Sequence, residues 1–193
     1  MDAERDVIYS VAMSLDGFIA GPGGEYDWIP SDDVGVDFDE FLARFDTLLM
    51  GRKTYELTVS QGPEAQIPGM KRYVFSSTLE DSEDPEVTIV PWANAIETVR
   101  RLKAEPGKQL WLFGGGQLFA GFLEAGVVDQ VEVAVFPVLL GEGVPLLSLA
   151  YSPHWLEHEE TREYPKGLRL SRYRVIRPDD PGTTSSSSEA TTS

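Results

Sequence analysis

In Trp111-Leu112-Phe113-Gly114-Gly115-Gly116-Gln117-Leu118-Phe119 an apolar run breaks into three consecutive glycines and resumes with helical spacing. A strand, a glycine turn and a helix start in that order present bare backbone N–H groups and a positive helix end to a phosphate. A glycine cluster also serves as an ordinary tight turn, so the motif needs independent support. It comes from about sixty residues earlier, in Thr47-Leu48-Leu49-Met50-Gly51-Arg52-Lys53-Thr54-Tyr55-Glu56, where an apolar strand ends at Gly51 and a guanidinium, an ammonium and a hydroxyl follow in succession. Two phosphate-suited strand ends in one small domain point to a dinucleotide.

A chain of 193 residues with 41% hydrophobic content fits one domain, assigned to residues 1–177. The segment 178–193 holds Ser, Thr, Pro, Gly, Asp and Glu with Ala190 as its single apolar side chain, and is expected to be a disordered tail. The absence of cysteine removes disulfides, iron–sulfur clusters, thiolate zinc sites and cysteine nucleophiles together. The two histidines, His154 and His158, fall on an acidic segment that reads as solvated surface, so no metal is expected. No apolar run approaches the roughly twenty residues of a membrane span, and the first residues are acidic where a signal peptide is basic, so the expected location is the cytoplasm. A formal charge of -16 repels nucleic acid and anionic membranes. That charge is uneven: residues 1–43 carry eleven acidic side chains and one basic, Arg5, whereas nine of the sixteen basic residues fall between Arg44 and Lys108, where a polyanionic ligand would bind.

Periodicity predicts strands at Val7–Ser14, Thr47–Met50, Lys71–Ser77, Val87–Val90, Leu110–Phe113, Val131–Val138 and Leu168–Ile176. Helices are predicted over Val36–Phe45, briefly after Gly51, from a capping box at Asn94-Ala95-Ile96-Glu97 to Pro106-Gly107, and from the triple glycine to Gly126. Strands alternating with helices, then strand-rich at the end, define an α/β fold: a three-layer α/β/α sandwich around a mixed, mostly parallel sheet.

The order of the Val7–Ser14 strand, the Asp16-Gly17-Phe18-Ile19-Ala20-Gly21 loop, Trp28, the Met50-to-Glu56 segment, Phe75-Ser76-Ser77 and the glycine run resembles the dihydrofolate reductase-like superfamily. That resemblance implies an NADPH cofactor with Gly51, Arg52, Lys53 and Thr54, then Ser76 and Ser77, then Gly114, Gly115, Gly116, Gln117 and Leu118 at its phosphates and adenosine, and Ala12 and Ile19 near the nicotinamide. Gln117 stands where folate reductases often place a second arginine, which leaves the 2′-phosphate mainly to Arg52, with help from Lys53 and Ser77. Met70 after Pro68-Gly69 and Ala134 on its strand stand where those enzymes keep a folate-anchoring arginine and a threonine. Pro137 to Leu147 resembles instead the reductase domain of riboflavin biosynthesis and its stand-alone relatives. A homodimer is a further implication of the resemblance.

Hydride transfer to a C=N or C=O bond needs orientation and a proton source. The candidates are Asp32, Asp33, Asp37 and Asp39, with Asp37 favoured as the catalytic acid because helical spacing sets it one turn before Phe41; the alternative is that all four are helix N-terminal charges favoured by the dipole. Trp28 either walls a substrate pocket or anchors its loop. The expected activity is NADPH-dependent reduction of a small heterocycle or carbonyl compound. A dihydrofolate reductase with an altered folate site, or a non-catalytic NADP-binding protein, are the alternatives.

Overall fold

The computed structural model describes residues 4–30, 34–62, 67, 69–148, 152–177 and 180. The strands are β1 (Val7–Ser14), β2 (Phe18–Ala20), β3 (Phe45–Gly51), β4 (Lys71–Ser76), β5 (Val87–Pro91), β6 (Gln109–Gly114), β7 (Gln130–Phe136), β8 (Val144–Pro145), β9 (Leu156–Glu163) and β10 (Arg169–Val175). The helices are α1 (Phe38–Leu42), α2 (Arg52–Ser60), α3 (Ala95–Ala104) and α4 (Gly116–Glu124). Eight strands form one sheet in the order β5-β4-β3-β6-β1-β7-β10-β9, and β2 pairs with β8 beside it. The six strands from β5 to β7 run parallel, whereas β10 and β9 add antiparallel. The sheet is therefore mixed and mostly parallel, as expected.

Parallel strands are covered on both faces, which is why β1 and β6 read as unbroken apolar runs. On one face Tyr9, Leu49, Leu110 and Leu112 pack with Ala95, Val99 and Leu102 of α3 and with Leu118, Phe119 and Phe122 of α4. On the other, Ile8, Leu48, Met50 and Trp111 pack with Phe41 and Leu42 of α1 and Tyr55 of α2. Helix α3 stops at Ala104 because Glu105 precedes Pro106 and is extended, with ψ 148°. Helix α4 ends at Gly126, whose φ of 67° closes the last turn.

Two local expectations are corrected, and one strand was not expected. The helix expected over Val36–Phe45 is only Phe38–Leu42, because Phe45 is recruited into β3, where its ring packs on Trp111. Asn94 does not cap α3: it sits in a short 3-10 turn, Trp92–Asn94, and makes no side-chain cap hydrogen bond. The acidic segment around His158 is an edge strand, β9, whose exposed charged side chains hid it from a hydrophobic reading. Of the expected tail, Asp180 accepts hydrogen bonds from Arg174 at 2.8 Å and from the Arg177 amide at 2.9 Å, and residues 178, 179 and 181–193 lie outside the described residues. No described helix is long and apolar enough to cross a membrane.

Candidate functional site

Leaving β3, the chain crosses through α2 to β4 on one side; leaving the neighbouring β6, it crosses through α4 to β7 on the other. Adjacent strands whose crossovers depart in opposite directions open a crevice at their carboxyl ends. Met50 pairs with Gly114 there, so both glycine-marked strand ends seen in the sequence share one edge. Helices α2 and α4 begin at this edge, at Gly51 and Gly115, and no side chain caps either one. Their first-turn N–H groups and dipoles face the crevice.

The glycines have a steric reason. Gly114 and Gly115 adopt φ of 158° and 97°, and a Cβ on either would face the Thr54 hydroxyl at 3.7 Å. A Cβ on Gly116 would stand 2.9 Å from the Pro145 carbonyl oxygen, so β8 can lie against the start of α4 only if that position is bare. Thr54 is thereby brought to the glycine turn from sixty residues away in the chain. Arg52 and Lys53 are exposed on the first turn of α2, with Arg52 Nη1 bonded to Glu56 Oε1 at 2.9 Å. This exposed pair is weak and exchangeable. Ser77 is exposed, whereas the buried Ser76 accepts from the Thr78 and Leu79 amides at 3.1 and 2.9 Å and so shapes the turn after β4. Gln117 is exposed, and Leu118 buries its side chain in the core, leaving its backbone to the crevice.

Next to the crevice lies an apolar cleft of about 490 Å³. Its floor is sheet: Ser10 and Ala12 of β1, Ala134 and Phe136 of β7, and Leu170 of β10. Its walls are Val36, Phe38 and Phe41 around α1, and Trp111 and Phe113 of β6. Trp111 meets Phe41 and Phe113 edge-on, with centroids 4.8 Å apart in both pairs. Phe113 lines the cleft and Gly114 after it opens the crevice, so the two hollows adjoin along β6. Ile19 is half-buried on β2, which pairs with β8 over the start of α4.

Asp37 is the N-cap of α1, exposed, its carboxylate accepting from the Glu40 amide at 2.9 Å, and Val36 and Phe38 on either side of it line the cleft. An aspartate at an N-cap is turned toward its own helix. Asp39 is likewise exposed, and Asp32 and Asp33 lie outside the described residues. Trp28 donates its indole N–H to the Glu25 carbonyl at 3.2 Å, and its ring meets Phe136 edge-on at 5.8 Å and lines a smaller hollow of about 150 Å³ that shares Phe136 with the cleft. Met70 is buried in the core, and Ala134 lines the cleft.

Two features escaped the sequence. Glu132, 0% exposed, shares the sheet face of Ser10 and Ala134, beside the Ser10 end of the cleft, and accepts from Ser10 Oγ at 2.9 Å, from Arg44 at 3.0 and 3.2 Å and from Arg172 at 3.0 Å. Asp16 pins the Leu140–Gly141 segment to the β1–β2 turn, accepting from both amides and from Ser14 Oγ. The Ser14 hydroxyl, then the Gly141 amide, hold its carboxyl below the usual carboxylate range. A group whose folded pKa is depressed contributes above its unfolded pKa and loses that contribution as pH falls through the folded one. Amide exchange at Leu140 and Gly141 is accordingly expected to accelerate roughly tenfold in Asp16→Ala at neutral pH, and in the unaltered protein only below about pH 4. Exchange that is unchanged in the variant would remove Asp16 as the clamp.

Among the described residues no group of three His, Cys, Asp or Glu side chains could hold a metal ion. An eight-stranded mixed sheet with this crevice and cleft defines the dihydrofolate reductase-like class. The fold superposes on the dihydrofolate reductase of Enterococcus faecalis with a TM-score of 0.67 over 91% of this chain and 99% of that one, at 16% identity. Within that class the chain belongs to the RibD C-terminal domain family, whose profile matches residues 5–170. It is 36% identical over 177 residues to the protein YyaP of Bacillus subtilis, covering 86% of this chain and 92% of that protein. A solved Shewanella sp. PV-4 protein assigned to riboflavin biosynthesis is 28% identical, with a TM-score of 0.78 over 90% of this chain and all of that one (100%).

Proposed function

We propose that this protein is a cytoplasmic NADPH-dependent reductase of a small heterocyclic or carbonyl substrate, with the cofactor in the glycine crevice and the substrate in the adjoining cleft. The observation that carries this reading is the pair of uncapped helix starts flanking one crevice, beside a cleft floored by Ala12. The residues present fit a dinucleotide. Gly114 and Gly115 leave the backbone bare, the first turns of α2 and α4 offer N–H groups to the pyrophosphate, and Thr54 adds a hydroxyl from above the turn. Arg52 exchanges Glu56 for the 2′-phosphate, where a dianion outcompetes an exposed carboxylate, with Lys53 and Ser77 beside it.

When bound, NADPH supplies a hydride. Ala12, with its short side chain, lets a flat ring approach β1, and Ile19 on β2 closes over it. The aromatic walls hold the acceptor and exclude water from its faces. Among the described residues the cleft lining contains no carboxylate, and the exposure of Phe38, at 63%, supports water as the source of the proton. Met70 in the core and Ala134 on the floor favour this over folate reduction.

The test is a thermal and calorimetric comparison of the two cofactors. At a hundredfold excess over its Kd, NADPH is expected to stabilise the fold by about 2.7 kcal/mol. NADH is expected to bind more weakly by about tenfold or more, and Arg52→Ala to erase most of that difference, as expected for one charge-assisted contact. Equal affinities for both cofactors in the unaltered protein would overturn the assignment of Arg52. NADPH oxidation across a panel of flavin precursors and cyclic carbonyl compounds then tests turnover.

A further inference from the structure

The chemistry of the cleft lining defines its ligand more narrowly than fold class does. No Lys, Arg, His, Asp or Glu occurs among the described residues that line it. The guanidiniums beside its Ser10 end are already engaged: Arg44 by both oxygens of Glu132, and Arg172 by Glu132 and, at 3.4 Å, by Glu160. Lys166 is exposed and borders the smaller neighbouring hollow, not the cleft. An anionic group carried into this space would shed its water and meet no countercharge among the described residues that line it.

The floor's polar groups add a second constraint. Trp111 Nε1 already donates to the Ser10 carbonyl at 3.0 Å, and the Ser10 hydroxyl donates to Glu132 at 2.9 Å, because a carboxylate between two guanidiniums accepts and does not donate. Both donors at the deep end are spent. What Ser10 still offers a ligand is the lone pairs of its oxygen, set among the rings of Trp111, Phe41 and Phe113.

We infer that the cleft takes an uncharged, largely apolar ring compound that presents an N–H or O–H donor to Ser10, and not a phosphorylated substrate. This rests on the proposed function only for the statement that the cleft is the substrate site.

A matched set of probes on one ring tests it without turnover: 2-naphthol, 2-methoxynaphthalene and 2-naphthyl phosphate, titrated against the full chain by ligand-observed NMR and calorimetry. Naphthol is expected to bind about tenfold tighter than the methoxy compound, the scale of one hydrogen bond, and naphthyl phosphate more weakly than either. Ser10→Ala is expected to bring naphthol down to the methoxy affinity while leaving the methoxy compound unchanged, a split that general damage to the fold would not produce. Naphthyl phosphate binding as tightly as naphthol, no saturable binding of naphthol, or no preference for naphthol over its methyl ether would each overturn the inference. Because binding is read without NADPH, a chain that prefers naphthol yet oxidises no NADPH with any substrate loses the reductase reading and keeps this one.

Discussion

Replacing Glu132 with alanine is expected to cost about 3 kcal/mol of folding stability, the lower end of what breaking a buried ion pair costs. The carboxylate is fully buried and serves three partners, Ser10, Arg44 and Arg172, from three other parts of the chain. Removing it strands two guanidiniums against each other beside the Ser10 end of the cleft. They are 28% and 26% exposed, so water partly compensates, and Arg172 retains Glu160; this sets the expectation at the lower end. Arg44 also lies over the Phe41 and Phe45 rings at 5.6 and 5.1 Å, so its displacement would loosen the aromatic wall. Urea unfolding measures the loss as a lower midpoint at unchanged slope, with a melting temperature reduced by roughly 6–12 °C. Glu132→Gln, which keeps shape and acceptor oxygen, is expected to lose distinctly less. An alanine variant as stable as the parent would mean that the two arginines find full hydration without their anion.

Gly115→Val is expected to lower NADPH affinity by at least about a hundredfold. Two effects combine at this position. A β-branched residue pays a steric penalty at φ 97°, and its side chain would project beside Thr54, into the space through which the backbone reaches the pyrophosphate. Strain alone would depress stability without touching affinity, and Gly126→Ala isolates it: φ there is 67°, with nothing within 4 Å of the added Cβ. That control is expected to melt lower and to bind NADPH as the parent does. If folded Gly115→Val binds NADPH as tightly as the parent, the triple glycine is only a turn, and the proposed function loses its crevice.

How far the sequence reached depends on the range of each interaction. The ends of β3 and β6 were legible because a continuous apolar run broken by glycine is a local pattern, and a covered parallel strand has to be written that way. The crevice followed, since both ends lie on adjacent strands at one edge. Helix α1 was overextended because Phe41, Leu42 and Phe45 keep helical spacing, yet pairing with β6 claims Phe45 for β3. Spacing marked Asp37 as an acid one turn before Phe41, and only the structure shows its carboxylate bonded to the Glu40 amide at the start of α1.

The α/β class, the strand ends and the glycine-marked edge were written in the sequence alone, because propensity, periodicity and glycine's steric freedom act within a few residues. The burial of Glu132 beside a cleft built from β1, α1, β6, β7 and β10 is instead a product of the assembled sheet. Arg44 and Arg172 reach that carboxylate from positions 88 and 40 residues away. No local pattern marks a charge for burial: its desolvation is offset only when strand pairing brings distant partners to it.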